Sequence, residues 1–283
     1  MSDPASEFCL EVESNITRLG QDYSLRQLTL SWMKATNRYK YTYNFSCMGR
    51  PIIQCPQDMI EIQELIWRIK PDLIIETGIA HGGSLIMSAS MLALIDYSDA
   101  IESRKILDPR ITCRRVIGID IDIREHNRAA IEAHPMSHRI DMIQGSSIAP
   151  EIIARVHELA RGYERVMVCL DSNHTHEHVL AELEAYAPLT SKGSYCVVFD
   201  TLIEDLPEGS FPERPWDKGN NPKTAVWEYL RRLKEEGRKA SDGTSLFYEI
   251  DMLIANKLLI TVAPDGYLRR IDQPLVQLQK HLT

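Results

Sequence analysis

Two aspartates close apolar runs in this chain: RVMVCLD ends on Asp171 and GSYCVVFD on Asp200. Read as neighbouring strands of a parallel sheet, the runs bring their carboxyl ends together, and two carboxylates there can share a hard divalent cation such as Mg²⁺. Such an ion would bind vicinal substrate hydroxyls and lower the pKa of the one that attacks. An aspartate at a strand end also caps the helix that follows; the common face of the two acids favours the metal reading. Glu204 and Asp205 are further oxygen donors nearby in sequence. Just past Asp171 stand His174, His176 and His178. At the start of a helix, positions i and i+2 diverge, so an all-histidine zinc site is not expected. His174, three residues past Asp171, is the candidate general base, since an imidazole titrates in the right range. All three histidines can also be read as solvated or hydrogen-bonded residues of a helix start.

The stretch IIETGIAHGGSLIMSAS places glycines between an apolar run and a helical pattern. Its spacing is Glu76-x-Gly78-x-x-x-Gly82-Gly83-Ser84. No lysine follows the glycines, which argues against a P-loop, and the first spacing is wrong for the dinucleotide fingerprint G-x-G-x-x-G. E-x-G-x-x-x-G is the variant expected for S-adenosylmethionine. Gly78 would let the backbone pass close beneath the ligand, and the N–H groups of Gly82 and Ser84 would meet the methionine carboxylate at a helix N-terminus. His81, inside the loop, touches ligand or fills the loop. On the next strand Asp120 ends VIGIDID, where an acid accepts bonds from ribose hydroxyls. Asp122 reads as a solvated residue or helix cap. Gly145-Ser146-Ser147 follows the third strand, where an adenine edge would lie, with Ser146 as its candidate contact. Glycine-rich strand-to-helix turns also occur without a ligand; three such signals in order on successive strands carry more weight than any one.

Residues 201–221, TLIEDLPEGSFPERPWDKGNN, form a long Pro- and Gly-rich segment directly after a strand. A loop of that length inside a compact domain reads as a lid or binding loop. Trp216 is a candidate stacking face for a polar substrate. Asn220 and Asn221 precede Pro222 at a helix start; they bind substrate hydroxyls or cap that helix.

The elements that must position these residues alternate along the chain. PQDMIEIQELIWRIK reads as a helix stopped by Pro71. Then come DLIIE (strand), GGSLIMSASMLALI (helix), RRVIGIDID (strand), IREHNRAAIEAH (helix) and RIDMIQG (strand). PEIIARVHELARG (helix), RVMVCLD (strand), THEHVLAELEAYA (helix) and GSYCVVFD (strand) continue the series. Continuous β-branched runs in alternation with helices predict an α/β fold with a doubly wound, mostly parallel, Rossmann-like sheet covered on both faces. Residues 1–55 read as an N-terminal helical and aromatic cap, 56–283 as the ligand-binding domain, and 97–113 as an extension of one crossover. SLFYEID and LLITVAPDGYLRRI read as a closing antiparallel pair.

With 283 residues, 44% of them hydrophobic and 25% charged, the chain can bury a full core. A net charge of −8 argues against a general nucleic-acid binder. No apolar run is expected to span a bilayer, and MSDPASEF lacks the regions of a signal peptide. Six cysteines are scattered without a CxxC pair, and Cys169 and Cys196 read as buried thiols. These features point to the reducing cytoplasm.

The blocks RPIIQCPQDM, IIETGIAHGGSLIMSAS, VIGIDIDIR, LDSNHTHEHV, GSYCVVFDT and PWDKGNNPKTAV resemble the cephalosporin hydroxylase/rhamnosyl O-methyltransferase family over roughly residues 40–240. The resemblance implies a class I S-adenosylmethionine-dependent methyltransferase with bound Mg²⁺ and a homo-oligomeric state. The glycine loop is also similar to that of catechol O-methyltransferase, E-x-G-x-x-x-G-x-S, matched by Glu76, Gly78, Gly82 and Ser84. That likeness implies a ribose-binding role for Asp120 and metal roles for Asp171 and Asp200. The third metal ligand would fall on Thr201, where the related enzyme has Asn. Some family members carry Glu-Asp where this chain has Phe199-Asp200. His174 falls on the base, replacing a lysine. The expected reaction is methyl transfer from S-adenosylmethionine to a hydroxyl of a sugar, glycoside or related natural product. Two other readings are an NAD-dependent oxidoreductase, disfavoured by the glycine spacing, and a non-catalytic methyltransferase-like partner subunit, for which Phe199 speaks.

Overall fold

The computed structural model describes residues 3–273; the last ten positions of the expected 56–283 domain lie outside them. The chain begins with α1 (Pro4–Gln21) and α2 (Tyr23–Asn37), divided at Asp22, whose side chain caps α2 by accepting from the Leu25 N–H. A two-stranded hairpin follows, β1 (Phe45–Cys47) with β2 (Arg50–Ile52). Then α3 (Pro56–Ile69), β3 (Leu73–Thr77), α4 (Gly83–Ser103), β4 (Arg115–Asp120), α5 (Glu125–Glu132) and β5 (Ile140–Gln144) build one half of the sheet. The other half comes from α6 (Pro150–Leu159), β6 (Val166–Leu170), α7 (His176–Tyr186), β7 (Tyr195–Val198), α8 (Pro222–Glu236), β8 (Phe247–Ile250), α9 (Met252–Lys257) and β9 (Tyr267–Ile271).

The main sheet has seven strands in the order β5-β4-β3-β6-β7-β9-β8. Its first five strands are parallel, and β9 runs antiparallel to both β7 and β8. The order reverses between β3 and β6, which is the switch point where ligands of open α/β sheets bind. In β3, Ile74 packs into the core on the α3–α4 side while Leu73 and Ile75 pack into the core on the α6–α7–α8 side. That two-sided burial is why the strand reads as a continuous apolar run.

Residues 97–113 do lengthen one crossover, the first part of them as helix, since α4 continues to Ser103. What remains is held by Arg114, paired with Asp96 and Asp99, and by Arg139, also paired with Asp96. Two expectations change. The closing pair is present, but LLITV is not a strand; residues 258–263 run as a loop, and α9 separates β8 from it. Asp58, fully buried on α3, fixes this loop by accepting from the Thr261 hydroxyl, the Val262 N–H (2.9 Å) and the Tyr267 hydroxyl (2.9 Å). Lastly, α4 is long and apolar enough to cross a membrane by length and composition. Its Leu85, Ile86, Ala89, Leu92 and Ile95 are fully buried in the core, whereas Leu94, Tyr97 and Ile101 are exposed.

The cap is not a separate body. Met33, Ile52 and Cys55 join the same core as α3 and α4. By contrast α1 buries none of its residues.

Candidate active site

At the end of β3 the backbone turns sharply. Gly78 has φ 89°, and a Cβ there would sit 2.0 Å from the Asp171 carbonyl oxygen. The glycine is needed for the close approach of β6, rather than only for a ligand passing over it. Ala80 adopts the left-handed region with φ 46°, and Gly82, at φ 82°, starts α4 without any side-chain cap. A helix start with unclaimed N–H groups is a place for an anion. Asp120 organises the loop: its Oδ2 accepts from the Ile79 (2.8 Å) and Ala80 (3.1 Å) amides, and its Oδ1 from the Asp122 amide. Ser84 donates to Glu76, which is 4% exposed, so these two expected cofactor contacts satisfy one another beneath the loop. Burial raises the Glu76 carboxyl to about 7, against the hydrogen bond from Ser84. His81 is held by its own carbonyl, which accepts from Arg50 of β2 at 2.7 Å.

Asp171, His174 and Asp200 come together where β6 and β7 end. Each offers a ligand atom, and those atoms lie within 4.8 Å of one another. The His174 Nε2 is 3.0 Å from Asp200 Oδ2, and its ring packs edge-on against Trp216 with centroids 4.7 Å apart. Asp200 itself is held at φ 56°, an uncommon conformation for a residue with a Cβ. Strain of this kind concentrates at functional sites. The Asp171 carboxyl is pushed well above its usual range, first by burial and then by Asp200, Glu76, Glu182 and Asp58. Every charge acting on it is negative, so the donor set fits a divalent cation that would relieve the repulsion.

Several expectations are corrected. The Thr201 hydroxyl donates to the Pro264 carbonyl at 2.6 Å and is fully buried, so it does not join the Asp171–Asp200 group. The left-handed turn at Asp200 directs the chain inward there. Asn221 is fully buried as the capping residue of α8, accepting from the Lys223 and Thr224 amides and donating to Glu204. Asn220 accepts from the His176 amide at 3.0 Å and donates to the Pro215 carbonyl, tying the lid to α7. Asn221 thus serves as a buried helix cap, and Asn220, exposed, links the lid to α7. Ser146 offers its carbonyl to the Ala149 amide; it is Ser147 whose buried hydroxyl meets His178, 3.0 Å away.

A cleft of about 450 Å³ joins the two clusters. Gly78, His81, Ser84, Asp171, His174, Asp200 and Trp216 line it, whereas Asp120, Ser146, Thr201, Asn220 and Asn221 do not. Gln54 had no role in the sequence reading, yet its Nε2 lies 3.3 Å from Asp171 Oδ2. It sits in the block RPIIQCPQDM, but no spacing rule connects a hairpin residue to a strand end over a hundred positions away. Arg214, stacked on Trp216 at 5.2 Å, and Tyr41 and Tyr43 of the cap also line the cleft.

The sheet is that of a doubly wound α/β protein, and the family that the chain matches is one of class I S-adenosylmethionine-dependent O-methyltransferases. The family model for Rhamnosyl O-methyltransferase/CmcI matches residues 39–271, and the chain belongs to that family. The rhamnosyl O-methyltransferase of Mycobacterium tuberculosis (strain H37Rv) is 29% identical over 228 residues, covering 79% of this chain and 77% of the relative. That of Mycobacterium leprae is 27% identical over 224 residues, covering 79% and 82%. Among solved structures, one of CmcI with Mg and SAM is 19% identical, with 81% and 77% coverage and a TM-score of 0.47. One of the MycE methyltransferase from mycinamycin biosynthesis, with Mg, SAH and mycinamycin VI, is 18% identical with 87% and 56% coverage and a TM-score of 0.46.

Proposed function

We propose that the chain transfers the methyl group of S-adenosylmethionine to a hydroxyl of a sugar or glycoside, with a divalent cation held by Asp171 and Asp200. The observation that carries this reading is the convergence of Asp171, His174 and Asp200 within 4.8 Å beside the glycine turn. When bound, the cation would supply a positive charge that acidifies the acceptor hydroxyl. The remaining work falls to the chain. The first turn of α4 receives the methionine carboxylate, and Asp120 holds the loop that shapes the cofactor seat, with ribose contact left to its free lone pairs. His174 removes the acceptor proton through the ring nitrogen that is not engaged with Asp200, while Asp200 holds Nε2 and the edge-on contact with Trp216 fixes the ring. Trp216 and Arg214 give the lid an aromatic, cationic surface over the acceptor. Holding donor and acceptor in line supplies a large share of such a barrier.

The mycobacterial relatives named rhamnosyl O-methyltransferases favour a deoxysugar hydroxyl. The test is a panel of rhamnosides and other glycosides incubated with labelled S-adenosylmethionine, with Mg²⁺ or with EDTA. Transfer that needs the metal supports the proposal; equal transfer in EDTA removes the metal from it. The exposed Phe8, Leu10, Tyr23 and Leu28 of α1 and α2 form the surface we assign to a second copy of the chain. Light scattering on a chain lacking α1 checks that assignment.

A further inference from the structure

Gln54 reaches the acid pair from outside the main sheet. Its backbone is fixed on both sides: its N–H donates to the Thr42 carbonyl at 3.0 Å, and α3 begins two residues later at Pro56. The side chain is 7% exposed. It is the one side chain among the described residues hydrogen-bonded to the Asp171 carboxylate. Its Oε1, fully buried, has no partner there. Gln54 lines the main cleft and also a closed cavity of about 20 Å³ shared with Asp58, Glu76, Asp171 and Phe199.

This arrangement is half satisfied. The amide points its donor at Asp171 and leaves its acceptor buried without a partner. Turning the amide over exchanges two atoms of nearly equal size. Oε1 then faces Asp171. An amide oxygen beside a carboxylate is a donor set suited to a hard cation, which takes amide oxygens as well as carboxylates. The neighbouring Thr201 hydroxyl is already committed to Pro264.

We propose that Gln54 is a ligand of the divalent cation at this site, binding it through Oε1 alongside Asp171 and Asp200. The proposal rests on the metal-assisted reading above. It gives the link between β2 and α3 a direct part in the metal centre.

The test is Mn²⁺ binding, read by the signal of free Mn²⁺ in electron paramagnetic resonance, on the full chain saturated with S-adenosylhomocysteine. S-adenosylhomocysteine affinity is measured in parallel. Gln54→Leu is expected to weaken Mn²⁺ binding about tenfold and to leave S-adenosylhomocysteine affinity within twofold. Gln54→Glu is expected to bind Mn²⁺ more tightly than the unaltered chain, and it carries the test should the leucine variant fail to fold. An unchanged Mn²⁺ affinity in Gln54→Leu, or no gain in Gln54→Glu, overturns the assignment of Gln54 alone. Absence of Mn²⁺ binding by the unaltered chain overturns the metal-assisted reading and this inference with it.

Discussion

His174 occupies a defined seat, with its Nε2 on Asp200 and its ring edge-on to Trp216. A base so placed contributes about 10²–10⁴-fold to rate. His174→Ala is therefore expected to lower kcat by that factor while S-adenosylmethionine affinity holds, and its residual rate should rise with pH as solvent hydroxide replaces the base; a pH–rate profile checks both. The buried acids make a second prediction. Burial lifts Asp58 from 3.8 to about 6 and Glu76 from 4.5 to about 7, and Asp171 also rises. A raised carboxyl pKa means the folded chain binds more protons than the unfolded one. The stabilisation is complete below the unfolded values and is lost as pH climbs through the folded ones. The expected loss between pH 4 and pH 8 is on the order of 2–3 kcal/mol for each of Asp58 and Glu76. Saturating Mg²⁺ should restore part of it at pH 8 and less at pH 6, because binding at Asp171 competes with its proton. Melting temperatures at the two pH values, with and without Mg²⁺, decide this; a metal effect larger at pH 6 would contradict it.

The turn after β3 and the lid before α8 are the two elements that shape the cleft. At Gly78 the added methyl group of alanine would collide with backbone, not with a side chain that can move. The positive φ adds strain. Gly78→Ala is expected to cost more than about 2 kcal/mol of stability and to separate β3 from β6, so that S-adenosylmethionine and metal affinity fall together in calorimetric titrations. The lid gives a contrasting pair. Asn221→Ala removes a buried cap and its bond to Glu204, and should cost about 1–2 kcal/mol, with KM for the acceptor little changed after correction for folded protein. Trp216→Ala should leave the melting temperature nearly unchanged and raise KM. If Asn221→Ala raised KM and left stability alone, the asparagine would belong to the substrate after all.

Across the whole molecule, the cap and the sheet act as one body. Arg50 of β2 holds the His81 carbonyl and reaches Asn127 of α5, while Met33, Ile52 and Cys55 fill the core beside α4. Removing residues 1–55 strips these contacts from the glycine loop and opens the core, so that truncation is expected to give an unfolded chain by circular dichroism. Removing only α1, which has no fully buried residue and packs on α9, is expected to keep most of the far-ultraviolet signal and to lower the melting temperature less than the longer truncation does. The acidic balance of the chain fits this picture of a cleft whose concentrated negative charge sits at the acid pair.

The parallel sheet, its order of helices, the turn at Gly78 and the meeting of Asp171 and Asp200 at neighbouring strand ends were legible from the sequence. Each rests on local rules: apolar runs make buried strands, glycines mark turns, and acids at strand ends meet when strands are neighbours. The extension of α4, the loop at residues 258–263 and the inward turn of Thr201 were not legible, because they depend on partners such as Arg139, Asp58 and Pro264 that are remote in sequence. Asn221 could be read equally as substrate contact or helix cap; only its burial decided. Gln54 was silent in the sequence because its meaning lies in the 3.3 Å that separate it from Asp171, 117 positions along the chain. Local chemistry is written in residue order, whereas a site assembled from a hairpin, three strand ends and a lid exists only once packing has brought them together.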